Sequence, residues 1–335
     1  MPRLLKELAI RLPARWMSAS VTVVALCFVA AALWFWQSAA TPPALSPDER
    51  AVLYQTPLPP PQRGMAVYHL GHSLVGPNIP AFTQQLAQAA GFQEASYHSQ
   101  LGWGTSLREH WDPDLRINGY AEMNSPPAYR PAHEALESAE YDALVMTEMV
   151  DLKDAIRWHA SGRHAGLWAA FARTHQPDIR LYLYESWHDT DIEGGWLDRI
   201  DTDLPELWKG TILAQAMAMP DVGTIHVIPA GQVKAAFTRA LQDIGGLPGL
   251  ADHYELFALR DDGTRDTIHP NDLGSYLVAL VHFATLYHVD PQGLPHELLR
   301  ADGTAADAPS PQVAALMQEI VWRVVSSMPQ TGVAP

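Results

Sequence analysis

From residue 64 onward, short runs rich in β-branched and aromatic residues alternate with longer stretches of helical spacing, and that alternation leaves few folds open. The β-type runs are Ala66–Leu70, Ala95–Gln100, Ala143–Thr147, Arg180–Tyr184 and Thr224–Pro229, each ending where polar residues or glycine begin. Helical patterns fill Pro77–Ala90, Leu152–Thr174, Leu204–Met217, Asn271–His288 and Gln312–Ser327. Strands that alternate with helices build βαβ units, with helices covering both faces of a parallel sheet. The expected fold class is therefore α/β, a three-layer α/β/α sandwich on a central parallel sheet of about five strands. In such sheets ligands bind beyond the C-terminal strand ends. The acidic stretch Asp243–Asp266 reads as a loop region leading to the last helices.

The first 63 residues follow a different logic. Residues 19–40 carry no charge, and Arg3, Lys6, Arg11 and Arg15 precede them against Glu7 alone. An apolar run of nearly bilayer length behind a basic flank holds its N-terminus in the cytoplasm and sends the rest across. The expected organisation is a basic cytoplasmic segment (1–20), a transmembrane anchor or signal segment (21–40), a Pro-rich linker (41–63) and a catalytic domain (64–335). Ser38-Ala39-Ala40 leaves signal cleavage open, which would make the domain periplasmic or secreted instead of membrane-anchored.

Composition narrows the partners. The 335 residues include 22 Lys and Arg against 37 Asp and Glu, a formal net charge of −15. Nucleic acid is not an expected partner, because phosphate binding needs clustered cations. The sole cysteine, Cys27, lies in the apolar run, which excludes a disulfide framework, a Cys-based zinc site and a Cys nucleophile from the domain. No cofactor is expected. Fifteen histidines raise a metal hypothesis, but no H-E-x-x-H pattern occurs, and neither His69/His72 nor His159/His164 has ligand spacing.

Two motifs carry chemistry. The first run leads into Gly71-His72-Ser73-Leu74-Val75-Gly76-Pro77, which places a serine between strand and helix, at the ligand-facing end of the sheet. A serine there serves equally as a turn or capping residue. The second motif is Asp266-Thr267-Ile268-His269-Pro270, read as a loop before a helix that Pro270 opens. Asp266 can fold back onto one ring nitrogen of His269 and leave the other free to take a serine proton, which is what a hydroxyl nucleophile requires. The α/β-hydrolase elbow G-x-S-x-G does not fit, since Val75 stands at its last position.

Gly71-His72-Ser73-Leu74 after the first strand, with Asp266-x-x-His269 before the last helices, resembles the SGNH, or GDSL-type, hydrolases over about residues 66–288. The resemblance implies a flavodoxin-like fold and ester hydrolysis through an acyl-enzyme on Ser73, with His269 as base and Asp266 orienting it. It also implies an oxyanion hole of the Ser73 amide, a glycine amide and an Asn side chain. Gly102, in Gln100-Leu101-Gly102-Trp103-Gly104, best matches that glycine, with Gly104 as the near alternative.

The chain departs from the family pattern twice. His72 replaces the Asp of the GDS motif. Val145-Met146-Thr147-Glu148-Met149-Val150 stands where the family shows Gly-x-Asn-Asp, so no Asn is available there. Glu148 is then a substrate-binding residue, an orienting group for His72, or a solvated strand-end carboxylate. Glu185, after the fourth run, faces the same end, and Trp103, Trp111 and Trp187 are candidates for stacking on a sugar ring.

The expected function is that of an exported serine esterase acting on a small-molecule or glycan ester, for example O-acetyl groups of envelope glycans. The alternatives are an acyltransferase using the same triad and a non-catalytic glycan-binding relative.

Overall fold

A computed structural model describes residues 43–335. The expected basic N-terminus and apolar segment lie outside the described residues. Among the described residues no helix is long and apolar enough to cross a membrane.

Five parallel strands form the central sheet: β1 (Ala66–His72), β2 (Ser96–Gly102), β3 (Ala143–Met146), β4 (Arg180–Glu185) and β5 (His226–Pro229). Their order is β2-β1-β3-β4-β5. The chain steps outward from β1 to β2, then returns past β1 to build the rest, so the switch point of this doubly wound sheet lies beside β1. All four residues of β3 and of β5 are buried, as expected for strands covered on both faces.

The helices are α1 (Pro47–Leu53), α2 (Asn78–Ala89), α3 (Leu107–Trp111), α4 (Tyr120–Met123), α5 (Ala132–Glu137), α6 (Leu152–His159), α7 (Ser161–His175), α8 (Trp196–Asp203), α9 (Ala214–Ala216), α10 (Ala230–Ile244), α11 (Asp272–Tyr287) and α12 (Pro311–Ser327). On one face Phe82, Leu86, Val233, Phe237, Leu280, Phe283 and Val321, from α2, α10, α11 and α12, share one core. On the other, Leu107, Leu136, Trp168 and Ile212 pack with Leu144 and Leu181 of the strands. Three layers result. Nearly all of α11 is buried, which is why its sequence is apolar all round.

Several expectations change. The stretch 152–174 is two helices, because Ala160 takes a left-handed conformation at φ 51° between α6 and α7. The helix expected at 204–217 starts earlier, with α8, and passes through π-type turns at Leu204–Leu213 before α9. Helix α10 falls where none was expected. The region 243–266 is not one loop: after α10 ends at Ile244, a single 3-10 turn (His253–Leu256) leads into an antiparallel hairpin of β6 (Phe257–Leu259) and β7 (Arg265–Pro270). Pro270 closes β7, and Asn271 caps α11 by accepting the Gly274 amide at 3.1 Å.

The linker expected at 41–63 also gives way, since residues 44–335 form one compact unit. Helix α1 starts in a capping box of Ser46 and Glu49. Tyr54 is buried and donates to the Ile225 carbonyl at 2.7 Å, Leu45 N–H bonds Ala214 O at 2.9 Å, and Leu58 N–H bonds Gly332 O at 2.8 Å. Proline-rich composition signals an extended backbone; it does not reveal that the backbone lies against a domain.

Candidate active site

Ser73 is the first residue past β1. Gly71 passes so close to β3 that an added methyl would lie 2.4 Å from Thr147 Cγ2, so only glycine fits. Two buried imidazoles then fix the turn. His72 Nε2 lies 2.8 Å from the Glu148 carbonyl, and the Leu74 amide points at His72 Nδ1 from 3.3 Å. A carbonyl only accepts and an amide only donates, so the proton sits on Nε2. His110 repeats the pattern: Nε2 donates to Gly71 O at 2.8 Å and Nδ1 accepts from Gln100 Nε2 at 3.0 Å. Burial, with smaller opposing and assisting influences, pushes both rings down to about 4 and keeps them neutral at ordinary pH. Where the family pattern has an aspartate, a neutral histidine thus ties the turn to the end of β3.

His269 and Asp266 lie on β7, on a strand and not on the loop expected. Ser73 Oγ is 3.0 Å from His269 Nε2, across 196 residues of chain. His269 Nδ1 is 3.1 Å from Asp266 Oδ2, while Asp266 Oδ1 accepts the amides of Ile268 and His269, each at 2.8 Å. Burial raises the Asp266 carboxyl, but those amides and the His269 ring outweigh it and hold it at about 2. The carboxylate is therefore ionised wherever the protein is folded.

The loop after β4 braces this segment. Trp187 Nε1 donates to the Ile268 carbonyl at 2.8 Å, Thr267 Oγ1 donates to Asp189 at 2.7 Å, and Thr190 N–H bonds Thr267 O at 2.9 Å. Trp187 is buried against Lys234, whose Nζ lies 3.8 Å from its ring centre. It holds β7 and is closed to any sugar. Trp111 is likewise occupied, edge-on to Trp168 at 5.0 Å and tilted against His133 at 5.2 Å. Of the three tryptophans, Trp103 alone is open, at 51% exposure.

The two glutamates expected at the substrate are structural instead. Glu148 is fully buried, and its Oε1 accepts the amides of Met149 at 2.8 Å and Leu107 at 3.2 Å, capping α3. Burial pushes it up to about 7 against the pull of Met149, Ser161 and Leu107. Glu185 accepts the Gln232 amide at 3.1 Å at the start of α10, and burial raises it to about 8. An added methyl at Gly231 would come within 2.4 Å of Glu185 Oε1, so this cap requires glycine. Both carboxyls sit at helix N-termini, where the dipole favours them. A sequence shows a carboxylate at a strand end but not the helix that turns back onto it.

The residues expected at the oxyanion hole lie at adjacent strand ends. Gly102 ends β2 in register with His72. The Leu101 amide and carbonyl both face Asn124, which accepts from one at 2.9 Å and donates to the other at 2.7 Å. Backbone groups alternate along a strand, so the Gly102 amide turns toward β1. Gly104 follows in a left-handed turn, φ 57°, with open space around it. Among the described residues, no asparagine side chain hydrogen-bonds Ser73. Asn124 clamps Leu101, the Asn78 side chain accepts the Ala301 amide at 3.1 Å, and Asn118 takes the Trp103 amide through its carbonyl at 2.7 Å. Among the described residues, no group of three His, Asp or Glu side chains is placed to hold a metal.

No model of a known protein family matches the chain, and no curated protein matches its sequence. Among solved structures, it is similar to a DUF4886 family protein from Bacteroides uniformis, at 15% identity and TM-score 0.47, over 78% of this chain and 95% of that one. It is similar to a protein from Parabacteroides merdae described as a GDSL-like lipase, at 13% identity and TM-score 0.40, over 68% and 96%. A carbohydrate esterase family 2 enzyme with a carbohydrate binding domain, from Corynascus thermopiles, is 12% identical at TM-score 0.36, over 68% and 67%. At such scores, what Ser73 does rests on its own surroundings.

Proposed function

We propose that the protein is a serine esterase that works through an acyl-enzyme on Ser73. The observation that carries this reading is the unbroken relay from Ser73 Oγ to His269 Nε2 at 3.0 Å and from His269 Nδ1 to Asp266 at 3.1 Å. Ser73 Oγ attacks the ester carbonyl while His269 Nε2 takes its proton. Asp266 holds the ring in the tautomer with Nδ1–H and stabilises the imidazolium that forms. The oxyanion forms at the start of the Ser73 turn, with the Ser73 amide and the Gly102 amide as its donors and the Gly104 amide as the near alternative. His269 returns the proton to the leaving alkoxide. It then deprotonates a water, which cleaves the acyl-serine bond and restores the hydroxyl. The absent asparagine costs about 100–1,000-fold in rate, which favours esters with good leaving groups.

A fluorophosphonate probe tests the nucleophile. Labelling of the native chain and its loss in Ser73→Ala, with circular dichroism unchanged, is the expected result; full labelling of Ser73→Ala removes the proposal.

The same reading places the domain outside the cytoplasm, because of the uncharged run 19–40 behind four basic residues. Protease added outside spheroplasts is then expected to digest the domain of the full chain. Protection equal to that of a cytoplasmic marker overturns the export reading and leaves the esterase reading standing.

A further inference from the structure

We infer that Trp103 is the substrate platform of this site, and that the ester it presents to Ser73 is carried on the pyranose ring of a glycan. The inference rests on the esterase reading for the role of Ser73 but draws on separate observations.

Position comes first. Because Gly102 pairs with His72, Trp103 and Ser73 are the first residues beyond two adjacent strand ends. Neighbouring strands lie about 4.8 Å apart. The two residues therefore leave the sheet at neighbouring positions. In an O-acylated pyranose the carbonyl carbon lies beside the ring by a comparable offset, so a ring seated on Trp103 brings its ester to Ser73.

Rigidity comes second. Trp103 is half exposed, yet it is not loose. Its ring lies directly on the backbone of Gly119, where an added methyl would meet Cδ2 at 2.2 Å. Gly119 has φ 65°, a conformation that glycine adopts without strain. The Trp103 amide bonds the Asn118 carbonyl at 2.7 Å, and the Asn124 side chain clamps Leu101 just before it. One face of the indole is thus supported and the remainder is open to water. A fixed aromatic face binds at low entropic cost, because its side chain is already ordered in the free protein.

Chemistry comes third. The negative face of an aromatic ring attracts the partly positive C–H groups on one side of a pyranose. Anionic rings are disfavoured by the chain's formal charge of −15. The His269 side chain is 46% exposed, so the site lies open to the surface, as a polymer-borne ester requires.

Calorimetry on Ser73→Ala, which leaves the ester uncut, tests the platform with an O-acetylated xylotetraose. We expect saturable binding, weakened about tenfold or more in Ser73→Ala/Trp103→Ala and less than about threefold in Ser73→Ala/Trp103→Phe. Equal affinity in all three, or no binding by Ser73→Ala at millimolar sugar, overturns the platform. So does a Trp103→Ala loss that is larger for phenyl acetate than for the sugar, which assigns the indole to aryl esters. Failure of the native chain to turn over the acetylated sugar bears on the esterase reading alone, since the affinity comparison needs no turnover.

Discussion

Replacing Asp266 by asparagine is expected to lower kcat/KM toward an activated ester by about 10⁴-fold while leaving the fold intact. The reason lies in how this carboxylate is held. Its Oδ1 accepts the amides of Ile268 and His269, and its Oδ2 faces His269 Nδ1. An asparagine must keep its carbonyl oxygen on the two amides, because its NH₂ group cannot accept from them. The NH₂ then faces His269 Nδ1 and donates to it. That drives the ring proton to Nε2, where it points at Ser73, and the base is lost. Steady-state kinetics on p-nitrophenyl acetate, with thermal unfolding as the control for folding, checks this. A variant within about tenfold of the native chain shows that Asp266 does not set the tautomer.

Acid should unfold this domain well before the Asp266 carboxylate is protonated. Burial pushes His69 down to about 3 and His226 and His288 to about 4, matching His72 and His110, and pushes His282 far down as well. Each folded value lies below the ordinary histidine value of about 6.5. The unfolded chain therefore takes up protons that the folded chain refuses, and the stability linked to these groups is complete above about pH 6.5 and drains away as pH falls toward 4. Each such group contributes a slope of about 1.4 kcal/mol per pH unit. Several acting together exceed an ordinary domain stability of about 5–15 kcal/mol within one to two pH units.

Asp266 acts with the same sign lower on the scale: its contribution is lost only as pH falls below about 3.8 toward 2. Urea midpoints measured from pH 8 to pH 4 are expected to fall steeply below 6.5, and a flat profile refutes the assignment. His282 gives the sharpest single test. Among the described residues neither buried ring nitrogen has a partner; the ring stacks 5.7 Å from His69 and lies edge-on to Tyr184 at 4.8 Å. A buried polar group left unpaired costs about 1–3 kcal/mol. His282→Leu should raise the urea midpoint at every pH and make its acid slope shallower.

Some structure beyond the expectations was within reach of the sequence. Leu259-Arg260-Asp261-Asp262-Gly263-Thr264 and Leu299-Arg300-Ala301-Asp302-Gly303-Thr304 share one pattern. Both fold into the same turn: the Arg amide bonds the Thr carbonyl at 2.8 Å, and the Asp side chain takes the Thr amide at 2.9 Å. Asp-Gly between β-type residues is a hairpin signal, and it marks the β6–β7 hairpin that carries Asp266 and His269. Helix α10 was harder to see, since Lys234 falls on its buried face, 3.8 and 3.9 Å from the rings of Trp187 and Phe257.

What the sequence determined by itself is local or periodic. The alternation of apolar runs laid out the five parallel strands, and the three-residue step from Asp266 to His269 set the carboxylate beside the imidazole. Ser73 follows β1 in sequence as it does in space. The tertiary structure decided whatever depends on which surfaces meet. It joined Ser73 to His269, closed Trp187 and Trp111 while leaving Trp103 open, and turned Glu148 and Glu185 from strand-end carboxylates into helix caps. It also laid residues 44–63 against the domain. Burial and hydrogen-bond partners come from residues distant in the chain, and a residue's own neighbours in sequence do not carry that information.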